Sequence, residues 1–170
     1  LQAAFGRNPD NSYTYTTTTG LRYGFDAGGR LLTLTDASEN TLTLGYTGEL
    51  LSTVSGAAGG LAFGYDAANR LASLSASTGV TIGYQYNGDD LAGVVRSDDH
   101  ATQYTYDARH HLTSRVENGA MVTSQSYDDV GRVVTQSVTG GQSLSIAYAS
   151  PAQGVTAVTN QQSATTYYYH

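Results

Sequence analysis

A chain of 170 residues with no cysteine, a net charge of -6 and only 13% charged residues has about half the charge density of an ordinary globular domain. Its acidic balance, with a pI near 4.9, argues against a nucleic-acid partner, which needs a basic face. No apolar run approaches the ~20 residues of a membrane span, and without cysteine there are no disulfides and no thiolate sites.

All eight basic residues are arginine, so Ser, Thr, Asn, Gln and Tyr must cover most of the surface, a composition suited to exposed β-structure in an extracellular setting. From the N-terminus, Phe5 is followed by the turn formers Gly6 to Asn11, and Ser12 to Thr19 is rich in Tyr and Thr, which favour strands. From Leu21 the pattern sharpens. Leu21, Tyr23 and Phe25 alternate with Arg22 and Gly24, the period of two of a half-buried strand. The alternation returns as Leu42, Leu44, Tyr46, as Leu61, Phe63, Tyr65 and as Ile82, Tyr84, Tyr86.

Each closing aromatic opens a motif, seen most fully in Tyr65-Asp66-Ala67-Ala68-Asn69-Arg70-Leu71. Near-copies are Phe25-Asp26-Ala27-Gly28-Gly29-Arg30-Leu31, Tyr106-Asp107-Ala108-Arg109-His110-His111-Leu112 and Tyr127-Asp128-Asp129-Val130-Gly131-Arg132-Val133. From Phe5 through Phe25, Tyr46, Tyr65, Tyr86, Tyr106, Tyr127 and Tyr148 to Tyr169, the aromatics are spaced 20, 21, 19, 21, 20, 21, 21 and 21 residues apart. A fixed period in this range marks a repeat architecture.

A polar turn follows each aromatic, and a second strand opens at Leu31, Leu51, Leu71, Leu91, Leu112 or Val133. Another apolar residue stands three further on, at Leu34, Val54, Leu74 or Val94. A spacing of three breaks strict alternation and predicts a bulge, or a first Leu that closes the turn. A second loop is expected around Gly20, Asn40, Gly59-Gly60, Gly79, His100, Gly119, Gly140-Gly141 and Asn160. Pro9 and Pro151 fall in motif turns, where a missing N–H is harmless. The fold class is therefore all-β: tandem β-hairpin repeats of 20 to 21 residues, about eight of them, form a single array over 1–170. Because open sheets of more than ~10 strands tend to curl, a coiled antiparallel sheet is expected, either a solenoid or a shell wall. The chain starts at Leu1 without a Met and stops just as an aromatic anchor appears, so it is expected to be a segment of a longer protein. Its partners would then be flanking repeats or further copies, joined through open sheet edges.

The motif residues read as scaffold. An Asp directly after a strand can accept backbone N–H bonds in the turn that it starts. Gly28-Gly29, Asn69 and Gly131 tolerate positive φ, and Arg30, Arg70 and Arg132 can pair with their own Asp or with neighbouring turns. The structural motif set is Phe25, Asp26, Arg30, Tyr46, Tyr65, Asp66, Arg70, Tyr86, Tyr106, Asp107, Tyr127, Asp128, Arg132, Tyr148 and Tyr169. No catalytic, cofactor-binding or metal-ligating residue is assigned, and no cofactor is expected.

Two departures stand out: His110-His111 in a motif turn and Asp98-Asp99-His100 in the opposite loop, resembling a metal-ligand set in composition. A strand of about six residues, roughly 20 Å, separates them, and Asp89-Asp90 is expected one repeat from His110-His111 at ~10 Å. Solvated loop residues are the expectation. Tyr23, Tyr84, Tyr104 and Tyr167 form a row that can stack on a glycan or line a core. A polysaccharide-acting enzyme would use paired carboxylates such as Asp89 and Asp90, and no nucleophile elbow or phosphate loop is present.

The motif and its spacing resemble the YD repeats of rearrangement-hotspot (Rhs) proteins, of toxin-complex shell components and of teneurin ectodomains. Asp is replaced in the weaker copies by Thr47, Asn87 and Ala149. The resemblance implies a long β-sheet that spirals into a hollow shell, in bacteria commonly enclosing a C-terminal toxin. No segment matches the self-cleaving protease region of that family. The expected function is a non-enzymatic structural segment of a secreted or cell-surface bacterial protein, forming the wall of a shell around a toxin domain, or a fibre. The alternative is a carbohydrate- or receptor-binding adhesin-like module on the same scaffold, with a glycan as partner.

Overall fold

The computed structural model describes residues 2–170, and every regular element among them is a β-strand. The chain forms two compact units, the first ending at Gly83 and the second starting at Tyr84. The first holds β1 (Ala4–Arg7), β2 (Tyr13–Thr16), β3 (Arg22–Phe25), β4 (Leu31–Thr35), β5 (Thr41–Thr47), β6 (Leu50–Gly56), β7 (Gly59–Tyr65) and β8 (Leu71–Ala76). The division falls inside β9 (Thr81–Asn87). The second unit continues with β10 (Asp90–Arg96), β11 (Ala101–Tyr106), β12 (Leu112–Glu117), β13 (Ala120–Tyr127), β14 (Val133–Val138), β15 (Ser143–Tyr148), β16 (Val155–Asn160) and β17 (Thr165–Tyr169). Each strand pairs antiparallel with the next along the chain, as tandem hairpins require.

In the first unit, period-two alternation sorts the side chains onto two faces. Tyr23 lies opposite Leu34 and Leu34 opposite Leu42. Leu44 lies opposite Val54 and Val54 opposite Leu61, while Phe63 faces Leu74 and Leu74 faces Ile82. The other face is built of small residues: Gly24 opposite Thr33, Gly45 opposite Thr53 and Gly64 opposite Ser73. The three-residue spacing has the expected cause. The register shifts between Gly24 and Phe25, so that Phe25 pairs with Leu31 and Gly24 with Thr33. The same bulge recurs at Tyr46, Tyr65, Tyr106 and Tyr127. One loop expectation needs correction: Gly59 and Gly60 belong to β7, and the turn is made by Ala57 and Ala58. Gly56 pairs with Gly59, which leaves only two residues to reverse the chain.

In the second unit β16 is the most covered strand. Val155 and Ala157, at 8% and 7% exposure, are the only buried apolar side chains among the described residues. Ala157 sits between Ala147 of β15 and Tyr167 of β17. The longer turn from Ala149 to Gly154 carries Pro151, as expected, and lets Tyr148 pair with Thr156 without a bulge. Among the described residues neither unit has a second layer of secondary structure over a sheet face, so apolar side chains are covered chiefly by their neighbours on the same face.

Candidate functional site

The motif aspartates start turns of one repeated form. The Asp66 amide donates to the Arg70 carbonyl at 2.9 Å, and the Asn69 amide donates back to the Asp66 carbonyl at 3.0 Å. Asp26, Asp107 and Asp128 repeat both bonds, with Gly29, His110 and Gly131 in the place of Asn69. That place requires positive φ, which is 61° at Asn69, 64° at His110, 87° at Gly29 and 82° at Gly131. The Asp side chain completes the turn. Asp66 Oδ1 accepts from the amides of Ala68 at 2.8 Å and Arg70 at 2.9 Å. Asp107 and Asp128 accept the equivalent pairs, and Asp26 accepts from Arg30 at 2.8 Å.

These bonds set the acidity of the carboxyls. The Arg70 amide, with smaller help from its guanidinium and the Ala68 amide, holds Asp66 below the usual carboxylate range against the opposing effect of desolvation. The His111 amide does the same for Asp107, and the Arg132 amide for Asp128. Asp36, on the opposite rim and outside the motif, makes the same turn with Ser38 and Asn40. The aspartate is thus a general device for this turn shape, independent of the YD motif.

The arginines take both of the courses open to them. Arg70 and Arg132 pair with their own Asp66 and Asp128, each at 2.8 Å. Arg30 instead reaches the next turn, bonding the Gly48 carbonyl at 2.7 Å and Glu49 at 2.6 Å. Four of the anchor tyrosines also tie their motif to the preceding one, which sequence reasoning missed. The Tyr46 hydroxyl donates to the Leu31 carbonyl at 2.8 Å while the Arg30 guanidinium lies 4.9 Å from the centre of the Tyr46 ring. Tyr148 donates to Val133 at 3.0 Å under Arg132 at 4.1 Å. Tyr65 donates to Leu51, and Tyr127 to Leu112, both at 2.8 Å. One signal was available: after Phe25, the anchors at 46, 65, 86, 106, 127 and 148 are all Tyr and never Phe, as a required hydroxyl would demand. Burial, followed by the charge of Asp90, pushes the Tyr106 hydroxyl up.

The histidines divide as expected in one respect and not in another. His100 pairs with Asp98 at 3.1 Å, beside Arg96, in the loop between β10 and β11. His110 reaches Asp90 of the preceding turn at 2.9 Å, where a one-repeat separation of ~10 Å was expected. Backbone spacing between alternate strands sets the longer figure, and two side chains leaning toward each other close it. His111 pairs with Asp107 at 2.9 Å and stacks on Tyr127 with ring centres 4.6 Å apart. Among the described residues no three His, Cys, Asp or Glu side chains converge as metal ligands.

The tyrosine row is not uniform. Tyr23 packs on Tyr15 with ring centres 5.9 Å apart, Tyr104 pairs with Arg115, and Tyr167 is exposed along with Tyr168 and Tyr169 on β17. A concavity of the first unit, about 640 Å³, lies on the apolar face near the loops opposite the motif turns. It is lined by Leu21, Leu34, Leu42, Val54 and Leu61. It holds no charged group beyond Asp36, whose carboxylate is already occupied by Asn40.

Solved structures of similar fold include toxin-complex assemblies. The chain resembles a component of a TcdB2-TccC3-TEV crystal structure with a TM-score of 0.64 at 17% identity, over 93% of this chain and 10% of that one. A Photorhabdus luminescens Tc holotoxin pore matches with a TM-score of 0.64 at 16% identity, over 94% of this chain and 10% of that one. A TcdB2-TccC3-Cdc42 structure matches with a TM-score of 0.62 at 17% identity, over 93% and 10%. At such identities the likeness is one of fold, and the chain spans a tenth of the length of each. No curated protein matches the sequence. The profile of the teneurin YD-shell family, however, matches residues 8–170, and with the repeated aromatic-Asp turns this places the chain in the teneurin YD-shell family.

Proposed function

We propose that the chain is a non-enzymatic wall segment of a secreted or surface-exposed bacterial YD shell, and that the space behind the wall holds a toxin domain. The observation that carries this reading is the tie between successive motifs made by Tyr46, Tyr65, Tyr127 and Tyr148, combined with the near absence of buried apolar side chains among the described residues. A repeat stabilised by its neighbours gains from every further repeat on either side. On this reading the chain is one stretch of a single array, and the motif residues serve as scaffold. The likeness to toxin-complex structures supports the shell over the fibre.

Light scattering of the isolated chain tests the proposal. Concentration-dependent association through β1 and β17 is expected, since open edges recruit strands, and extending the array at both ends should suppress it. A compact monomer at all concentrations would count against a wall segment. The adhesin reading draws support from the exposed Tyr167, Tyr168 and Tyr169. Glycan-array binding that disappears on their replacement by Ala would place it ahead.

A further inference from the structure

We propose that His111 is a pH-dependent stand-in for the motif arginine, so that acidification tightens the joint between the turns 107–111 and 128–132. The comparison is internal to the chain. At the same motif position, Arg30 and Arg132 place a permanently charged guanidinium over the next anchor, Tyr46 or Tyr148. At position 111 an imidazole occupies that place, with Nδ1 2.9 Å from Asp107 Oδ2 and the ring stacked on Tyr127 at an interplanar angle of 29°. Its Nε2 faces the following turn, 3.0 Å from where a Cβ on Gly131 would stand. The ring is 28% exposed, so it is partly shielded from solvent screening. One side chain thus contacts its own turn's carboxylate and the next repeat's ring, and it fills the space beside Gly131 of the next turn.

The chemistry of the exchange follows from charge. Imidazole is the side chain whose ordinary titration lies between pH 5 and 8. Neutral, it supplies a hydrogen bond and a stack; protonated, it adds the ion pair and cation-π attraction that arginine provides at every pH. The charged and polar groups around it come from four places. From its own turn come Asp107 and Arg109, whose guanidinium bonds the Asp129 carbonyl. From the preceding turn comes Asp90, held by His110, itself a well-exposed imidazole. From β13 come Tyr127 and the neutral Gln125, which donates to the Tyr127 hydroxyl and the Leu112 carbonyl. From the following turn come Asp129, Asp128 and Arg132, the last two paired with each other. Four carboxylates stand against two guanidinium groups, and both of those are already engaged.

Hydrogen exchange of the chain at pH 7.5 and pH 5.5, corrected for intrinsic exchange rates, tests the proposal. Protection of the amides at 107–112 and 127–132 should rise about threefold on acidification, the scale of one partly exposed cation-π or ion-pair contact. In His111→Arg that protection should be high at both pH values, in His111→Gln low at both, and in His110→Gln the response should survive. A wild-type response that is flat, that persists in His111→Gln or His111→Arg, or that vanishes in His110→Gln would overturn the assignment. Should His111→Gln fail to fold, His111→Arg alone decides, because it retains the charge and lacks the titration.

Discussion

The hydroxyl of Tyr65 donates to the carbonyl of Leu51, fourteen residues earlier, at 2.8 Å. The bond crosses from one repeat to the previous one and meets the second residue of its return strand. Leu51 also pairs with Tyr46 at the bulge of the preceding hairpin, so the hydroxyl joins one bulged turn to the next. Tyr65→Phe keeps the ring and removes the bond. It should cost about 1 kcal/mol, the usual net worth of one such hydrogen bond, read as a fall in the urea midpoint at unchanged slope. Phe25→Tyr should give no comparable gain if the effect belongs to the inter-repeat acceptor and not to tyrosine as such.

The period, the hairpins, the bulges and the turns were legible because each has a local cause. Alternation fixes a strand, an Asp fixes the turn that it starts, and a three-residue Leu spacing records a bulge. The tie from Tyr65 to Leu51 was not legible, because the register between successive hairpins determines it and no residue near Tyr65 records it. The contact between His110 and Asp90 was missed for a related reason. Strand spacing alone set the expected separation, while the reach of the two side chains decided the outcome. His110 also occupies the left-handed turn position, where the motif otherwise places Gly or Asn, and nothing in its residue type announces that conformation.

Asp66 contributes mainly as a backbone acceptor, through Oδ1 to Ala68 and Arg70. Asn offers an oxygen in the same place, and Asn160 already caps its loop in this way, accepting from Gln162 and Ala164 at 3.0 Å. Asp66→Asn should therefore be milder than Asp66→Ala in thermal melting. The carboxyls of Asp66, Asp107 and Asp128 are all held below the ordinary aspartate value of 3.8. A group whose folded value is depressed contributes its stability above the unfolded value and loses it as pH falls through the folded one. Stability should thus be level in these groups from neutral pH down to about 4 and decline below about 3.8. Asp66→Asn should flatten part of that decline.

Gly131 and Gly79 separate backbone strain from crowding. Both have positive φ, 82° and 92°, but a Cβ at Gly79 meets open space, while one at Gly131 would lie 3.0 Å from His111 Nε2. Gly79→Ala should cost only the left-handed penalty of about 1 kcal/mol. Gly131→Ala should cost more, because the imidazole must move off Tyr127 to make room. Equal denaturant midpoints for the two variants would show that His111 is not held against the following turn.

Gly45 and Gly64 occupy the same place before their anchors, with ordinary φ, and a Cβ on either would collide with a hydroxyl across the strand. For Gly45 the obstacle is Thr53, for Gly64 it is Ser73. The two hydroxyls do not yield equally. Thr is β-branched, so turning Oγ1 aside brings its methyl group into play and forces a disfavoured rotamer in a strand; Ser has one γ atom and can rotate away. Gly45→Ala should accordingly cost about 1–3 kcal/mol, the range for overpacking a fitted site, and Gly64→Ala distinctly less. Because the Cβ of Thr53 itself would stand at an ordinary 3.7 Å, Gly45→Ala made together with Thr53→Ala should recover most of the loss. A double-mutant cycle in urea measures that coupling. A coupling near zero would mean that the strand pair shifts bodily to absorb the methyl group, and that the small-residue face is set by backbone spacing and not by the hydroxyl opposite each glycine.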